Sequence, residues 1–140
     1  MIAIIRIAGQ VHMNWDIVDT FKRLKLGKKY TCVLINDTPQ MLGMLNKVKD
    51  FVAFGNIDEK TLVELLKARG KVIGDTKAKL KDPEKLAKDI LAGKKLEDLK
   101  IKPFFGLHPA RGGINTKRYY PEGVRGNHKE AINKLIMKML

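Results

Sequence analysis

The side chains that could do chemistry are concentrated in GLHPARGGINTKRYYPEGVRGNHK, residues 106–129. Arg111, Lys117, Arg118, Arg125 and Lys129 are fixed cations, each able to neutralise a phosphate. Gly112, Gly113, Gly123 and Gly126 let a polyanion come close to the backbone and its N–H donors. Tyr119 and Tyr120 add ring faces on which an unpaired base could stack, or else pack inward. His108 and His128 could move protons beside Arg111, but no carboxylate or nucleophile accompanies them, so both read as donors to phosphate or water. A phosphate-handling enzyme using His108, Arg111 and Arg118 would be the alternative. The chain has no Gly-x-x-x-x-Gly-Lys-Ser/Thr, no Gly-x-Gly-x-x-Gly after a strand and no His-Glu-x-x-His, so no catalytic residue is assigned and no small-molecule substrate is expected.

The charge of the whole chain points the same way. Its 140 residues hold 28 Lys and Arg against 15 Asp and Glu, a net of +13. Residues 99–140 carry nine of those bases and only Glu122 and Glu130 as acids, so less than a third of the chain supplies more than half the excess. Such a balance calls for a polyanionic partner. No apolar run reaches the 18 residues of a membrane span, and neither end reads as a basic amphipathic anchor, so nucleic acid is favoured over a membrane surface. Cys32 is the single cysteine and the three histidines are scattered, which argues against a disulfide, a metal site or a cofactor and suits a reducing, cytoplasmic setting.

Short elements must hold these residues in place. Ile2 to Ala8 reads as a strand with Ile5 and Ile7 on one face and Ile4 on the other. Ile17, Val18, Phe21 and Leu24 then recur at helical spacing, with Asn14 at the N-cap, Gly27 at the stop and Trp15 as an apolar anchor. The end of this helix is basic through Lys22, Arg23, Lys25, Lys28 and Lys29, a second candidate contact or else a solubilising face. YTCVLIN (30–36) is a strand apolar on both faces. Thr38-Pro39 opens a second helix, with Met41, Leu42, Leu45 and Val48 inward. FVAFG (51–55) is a third strand, followed by a helix capped by Asp58, facing inward through Leu62, Leu65 and Leu66, and ended by Gly70.

The order β-α-β-α-β-α within residues 1–70 suits a small α+β sheet with helices on one face, close to a ferredoxin-like arrangement. Residues 71–100 read as a charged helical insert, with Asp82-Pro83 at its helix start and Gly93 at its end. Residues 101–140 form the basic glycine-rich loop and a C-terminal helix whose stripe, Ile132, Leu135, Ile136 and Met139, docks on the core. Asn127 and Glu130 match a capping box there. All three parts belong to one domain. An RNA-recognition-motif sheet is disfavoured, because Phe51 and Phe54 are three apart and so fall on opposite faces of a strand. Contact with a partner is expected from the loops and helix ends, and the loop, with little packing of its own, is expected to be ordered by that partner.

The segments IRIAG, NDTPQMLGMLNKV, FVAFGNIDEKTLVELLKARG, DPEKLAKDILAGKKLEDL, FFGLHPARGGI and EGVRGNHKEAINKLIMKM fall in register along nearly the whole chain. Together they resemble the large-ribosomal-subunit protein L-thirty family in its long archaeal and eukaryotic form. The resemblance implies a three-stranded antiparallel sheet with helices. It also implies a structural role in the large ribosomal subunit, bound to large-subunit ribosomal RNA near the 5S RNA and beside neighbouring ribosomal proteins. A dissociable assembly or regulatory factor is the competing reading. Matched positions imply RNA-facing roles for Arg6 and Gly9, Thr38 and Pro39, Arg69 and Gly70, Arg111 to Gly113, and Gly126 with Asn127. The long basic N-terminal arm of eukaryotic members is missing, which favours an archaeal origin.

Overall fold

The computed structural model describes residues 1–74, 82–94, 96 and 98–140. Its centre is β1 (Ile2–Arg6), antiparallel to β2 (Thr31–Ile35) on one side and to β3 (Val52–Asn56) on the other. Ile4 stands opposite both Val33 and Phe54. β2 and β3 therefore run in the same direction with β1 between them, joined by α2 (Pro39–Val48): a split β-α-β unit, the basis of the ferredoxin-like fold. The expected three-stranded antiparallel sheet is this centre. Two further strands extend it, β4 (Phe105–Gly106) antiparallel beside β2 and β5 (Gly126–Asn127) parallel beside β3, so the order is β4-β2-β1-β3-β5. Two residues are too few to show an alternation, which is why these edges could not be read from hydrophobic pattern.

Helices cover both faces of the sheet, not one. Ala3, Ile5, Cys32, Leu34 and Ala53 join a core with Leu62, Leu65 and Leu66 of α3 (Glu59–Arg69), Ala87 and Ile90 of α4 (Pro83–Leu91), and Ile132 and Ile136 of α5 (Ile132–Met139). Ile2, Ile4, Val33, Ile35 and Val52 form a second core with Leu45 and Val48 of α2 and Phe21 of α1 (Trp15–Arg23). All five residues of β1 and of β2 are buried, so each strand needs an apolar layer on both sides. Phe51 and Phe54 both pack on the second core, because Phe51 lies in a 3₁₀ turn (Lys49–Phe51) before the strand and escapes its alternation.

The helix ends follow local chemistry. Thr38 accepts from the Met41 N–H at 3.4 Å with Pro39 in the first turn, as expected. Helix α1 stops earlier than Gly27: Lys25 takes the left-handed conformation (φ 59), Leu26 N–H donates to Phe21 O and Lys25 N–H to Lys22 O. That is a Schellman closure made without glycine. Gly93 (φ 95) closes α4 in the same way, through Lys94 N–H to Asp89 O and Gly93 N–H to Ile90 O. The capping box at Asn127 does not form. Asn127 belongs to β5, its Oδ1 accepts from Lys129 N–H at 2.8 Å, and a 3₁₀ turn (Lys129–Ala131) leads into α5.

The expected helical insert is α4 plus turns, and its residues 75–81, 95 and 97 lie outside the described residues. Val72 bridges to Ile101, and Ile73 N–H donates to Lys100 O while Lys102 N–H donates to Lys71 O, closing the neck. Ala87, Ile90, Leu96 and Ile101 join the larger core, so this lobe is packed on α3.

Candidate nucleic-acid interface

Strand directions decide where the basic segments lie. β1 ends at Arg6, opposite the first residue of β3 and next to the turn that opens β2, where Tyr30 N–H donates to Arg6 O. β4 runs toward that same end, since Phe105 pairs with Cys32 and Gly106 with Thr31. β5 starts there, Gly126 pairing with Ala53. The loop from 107 to 125 thus leaves and re-enters the sheet at one end. This is also the end of the β1–α1 and α1–β2 loops, and of the C-termini of α3 and α5. Lys22, Arg23, Lys28 and Lys29 from the first basic cluster and Arg111, Lys117 and Arg118 from the second are all exposed.

The loop is built rather than slack, contrary to the expectation that it has little packing of its own. Leu107, Ala110 and Val124 are buried. Leu107 N–H donates to Tyr30 O, His108 N–H to Met139 O and Arg111 N–H to Lys138 O, tying its first half to β2 and the end of α5. Val124 N–H donates to Asn115 O, Tyr120 N–H to Arg125 O and Gly123 N–H to Tyr119 O, folding its second half on itself. Gly112 (φ 82) and Gly113 (φ 76) make the left-handed turn that presents Arg111, a backbone closed to most side chains.

Two residues expected to face RNA are inside. Arg6 is 3% exposed; its Nη1 donates to Leu26 O at 2.7 Å and Gly27 O at 3.0 Å, Nη2 to Gly9 O and Nε to Ala8 O, both at 3.1 Å, and its guanidinium lies 4.2 Å over the Phe21 ring. It joins the two loops flanking α1, with four of its five N–H groups engaged by main-chain carbonyls. Burial pushes its pKa down, and it stays a cation as arginine does in proteins. His128 is also buried: Nε2–H donates to Val124 O at 2.8 Å and the ring packs on Tyr120, centroids 4.4 Å apart. Burial lowers its pKa, opposed by that hydrogen bond. Both residues hold the loops in shape.

The remaining candidates divide. Arg69 is half-buried and donates to the Leu140 main-chain oxygen at 2.8 Å; Arg125 is half-buried. Arg118 pairs with Glu122, and Arg23 with Asp19, in exposed ion pairs of a kind worth about 0.2–1 kcal/mol, so a phosphate can displace the carboxylate. Tyr119 and Tyr120 are exposed. Tyr119 engages Asp50, and partial desolvation, then that negative charge and hydrogen bond, push its phenol pKa up. His108 is exposed on the loop. Asn127 and Lys129 are exposed but lie beyond the start of β5, toward the other end of the sheet, where the Lys129 carbonyl packs on Gly55. Among the described residues no group of His, Cys, Asp and Glu could hold a metal.

Trp15 is a surface residue that sequence reasoning misplaced: it is 75% exposed, with Lys22 Nζ 5.0 Å over its ring. The signal was available, because positions seven apart on a helix fall almost on one meridian, so an exposed Lys22 implies an exposed Trp15.

Fold and surface together define a class: a small, strongly basic α+β protein on a ferredoxin-like sheet, with cations gathered at one end. The family model for ribosomal protein L30p/L7e matches residues 2–52, from β1 to the first residue of β3. Large ribosomal subunit protein uL30 of Archaeoglobus fulgidus is 44% identical over 151 residues, covering 99% of each chain. The proteins of that name from Methanoculleus marisnigri and Methanococcus maripaludis are 40% and 38% identical, over 99% of this chain and 99% and 98% of theirs. The chain belongs to the uL30 family of large ribosomal subunit proteins.

Proposed function

We propose that this chain is a structural constituent of the large ribosomal subunit in the cytoplasm, that it binds and stabilises large-subunit ribosomal RNA, and that it catalyses no reaction. The observation that carries the reading is the convergence of Lys22, Lys28 and Lys29 with Arg111, Lys117 and Arg118 toward one end of the sheet. Each phosphate neutralised there releases condensed counterions, so affinity accrues cation by cation and falls with salt. The hydrogen-bonded frame of the 107–125 loop lowers the ordering cost of binding, which runs to about 1–2 kcal/mol for each backbone residue fixed from a free chain. The 5S RNA and neighbouring ribosomal proteins are the further partners of this reading.

Its test is binding of the purified protein to large-subunit RNA across a salt series. Charge reversal at Arg111, Lys117 and Arg118 should weaken binding and flatten the slope of log affinity against log salt by roughly 2–3. An unchanged slope would overturn the assignment of this face. A resident constituent also remains at near-stoichiometric amount on salt-washed subunits, whereas an assembly factor leaves.

A further inference from the structure

Trp15 and Phe104 are large aromatic side chains left in water, 75% and 45% exposed. An isolated exposed aromatic is ordinary; two joined by lysines are not. Lys22 sits over the Trp15 ring and also lines an open groove with Lys25, Lys28, Ile73, Pro103 and Phe104. The surface therefore runs from an indole, through ammonium groups, to a phenyl ring. Of the two acids on α1, Asp19 is bonded to Arg23, and Asp16 lies about 100° around the helix from Trp15.

We propose that this strip is a single-strand site, taking an unpaired stretch of RNA with one base stacked on Trp15, the backbone along Lys22 and Lys28, and a second base on Phe104. Aromatic faces alternating with cations match the alternation of bases and phosphates in a single strand, whereas a duplex hides its base faces and offers only phosphate. A protein partner would need an acidic surface with apolar knobs matched to both rings. Among the described residues that line the groove three are lysines and none is an acid, which favours the nucleic acid. The site is separate from the glycine-rich loop and its Tyr119 and Tyr120, and it rests on the RNA-binding reading above.

Trp15 is the only tryptophan, so its emission reports this site alone. A ten-nucleotide oligoadenylate should quench that emission and shield it from iodide. The same strand paired with oligouridylate, or inorganic polyphosphate, should bind the lysines without doing so. Trp15→Ala should weaken oligoadenylate binding about 5- to 150-fold, the range for one base stacked on an aromatic ring, and Trp15→Phe should restore most of it. Phe104→Ala should act in the same direction with the Trp15 signal intact. Equal affinity of Trp15→Leu and wild type, or oligoadenylate binding with no change in Trp15 emission, would overturn the proposal. So would a Trp15→Ala chain that binds oligoadenylate normally yet fails to enter subunits, which would assign the ring to a protein neighbour. If ribosomal RNA binds while Trp15 stays silent, only this site fails; if no RNA binds, the function proposed above fails with it.

Discussion

Replacing Arg6 with methionine separates a structural arginine from an RNA contact. Methionine replaces the aliphatic stem and ends short of the guanidinium, so the change removes four hydrogen bonds and a ring contact. Its bond to Leu26 O is buried, and an orphaned buried carbonyl costs about 1–3 kcal/mol. The bonds to Ala8, Gly9 and Gly27 are only partly buried, so those carbonyls can take up water. Loss of a desolvated cation over Phe21 adds about 1–2 kcal/mol, and methionine recovers part of this by avoiding the desolvation of a charge. The net expectation is a loss of about 2–4 kcal/mol, a large share of the 5–15 kcal/mol typical of a domain. In urea this lowers the midpoint by roughly 1–2 M at the slope usual for small proteins. Circular dichroism is the right probe, because Trp15 is solvated already when folded. Arg6→Lys should recover less than half, since one ammonium cannot fan out to four carbonyls. A midpoint within experimental error of wild type, together with weakened RNA binding, would refute the reasoning and return Arg6 to the RNA face.

Gly55→Ala should destabilise by at least about 1–3 kcal/mol in the same urea experiment, because a Cβ there meets the Lys129 carbonyl and the Ile132 side chain, and backbone cannot step aside as a flexible side chain can. His128 makes stability depend on pH: its folded pKa lies below the ordinary 6.5, so the unfolded chain binds more protons between the two values. Its contribution is complete above about 6.5 and is lost as pH falls toward the folded pKa; wild type should lose more stability between pH 7.5 and 5.5 than His128→Asn, and parallel profiles would refute this. The Cys32 thiol is fully buried, its pKa pushed up to about 12, so an aromatic disulfide reagent should label it only as fast as the protein opens. Rapid labelling under native conditions would contradict the packing of β2.

The elements that bury a periodic stripe were legible in the sequence. Leu62, Leu65 and Leu66 announce α3, Thr38-Pro39 announces the start of α2, and the unbroken apolar run of β2 already implied two covered faces, although helices on one face were expected. Features set by distant partners were not. Arg6 looks like a surface cation until the Leu26 and Gly9 carbonyls are brought to it from loops before and after α1. His128 looks like a loop donor until β5 puts it beside Val124. Lys25 could not be foreseen in a left-handed cap while Gly27 stood two residues on. In the candidate site, the list of exposed cations was readable from composition. Their convergence on one end of the sheet was not, because it depends on edge strands of two residues each.

That convergence leaves the opposite end differently charged. Asp37, Asp58 and Glu59 are exposed at the turns where β2 and β3 finish, with Lys60 and Lys129 among them, and Arg23, Lys25 and Lys94 line a groove there with Met1, Asn36 and Thr38. The molecule is therefore a net cation in which Arg111, Lys117 and Arg118 are grouped on one loop, while the far end mixes both signs. Approaching a polyanion, the grouped loop cations are drawn forward ahead of the mixed end, raising the proportion of collisions that arrive in a usable orientation. Added electrolyte then weakens capture twice over, by screening the attraction and by loosening the orientation at encounter.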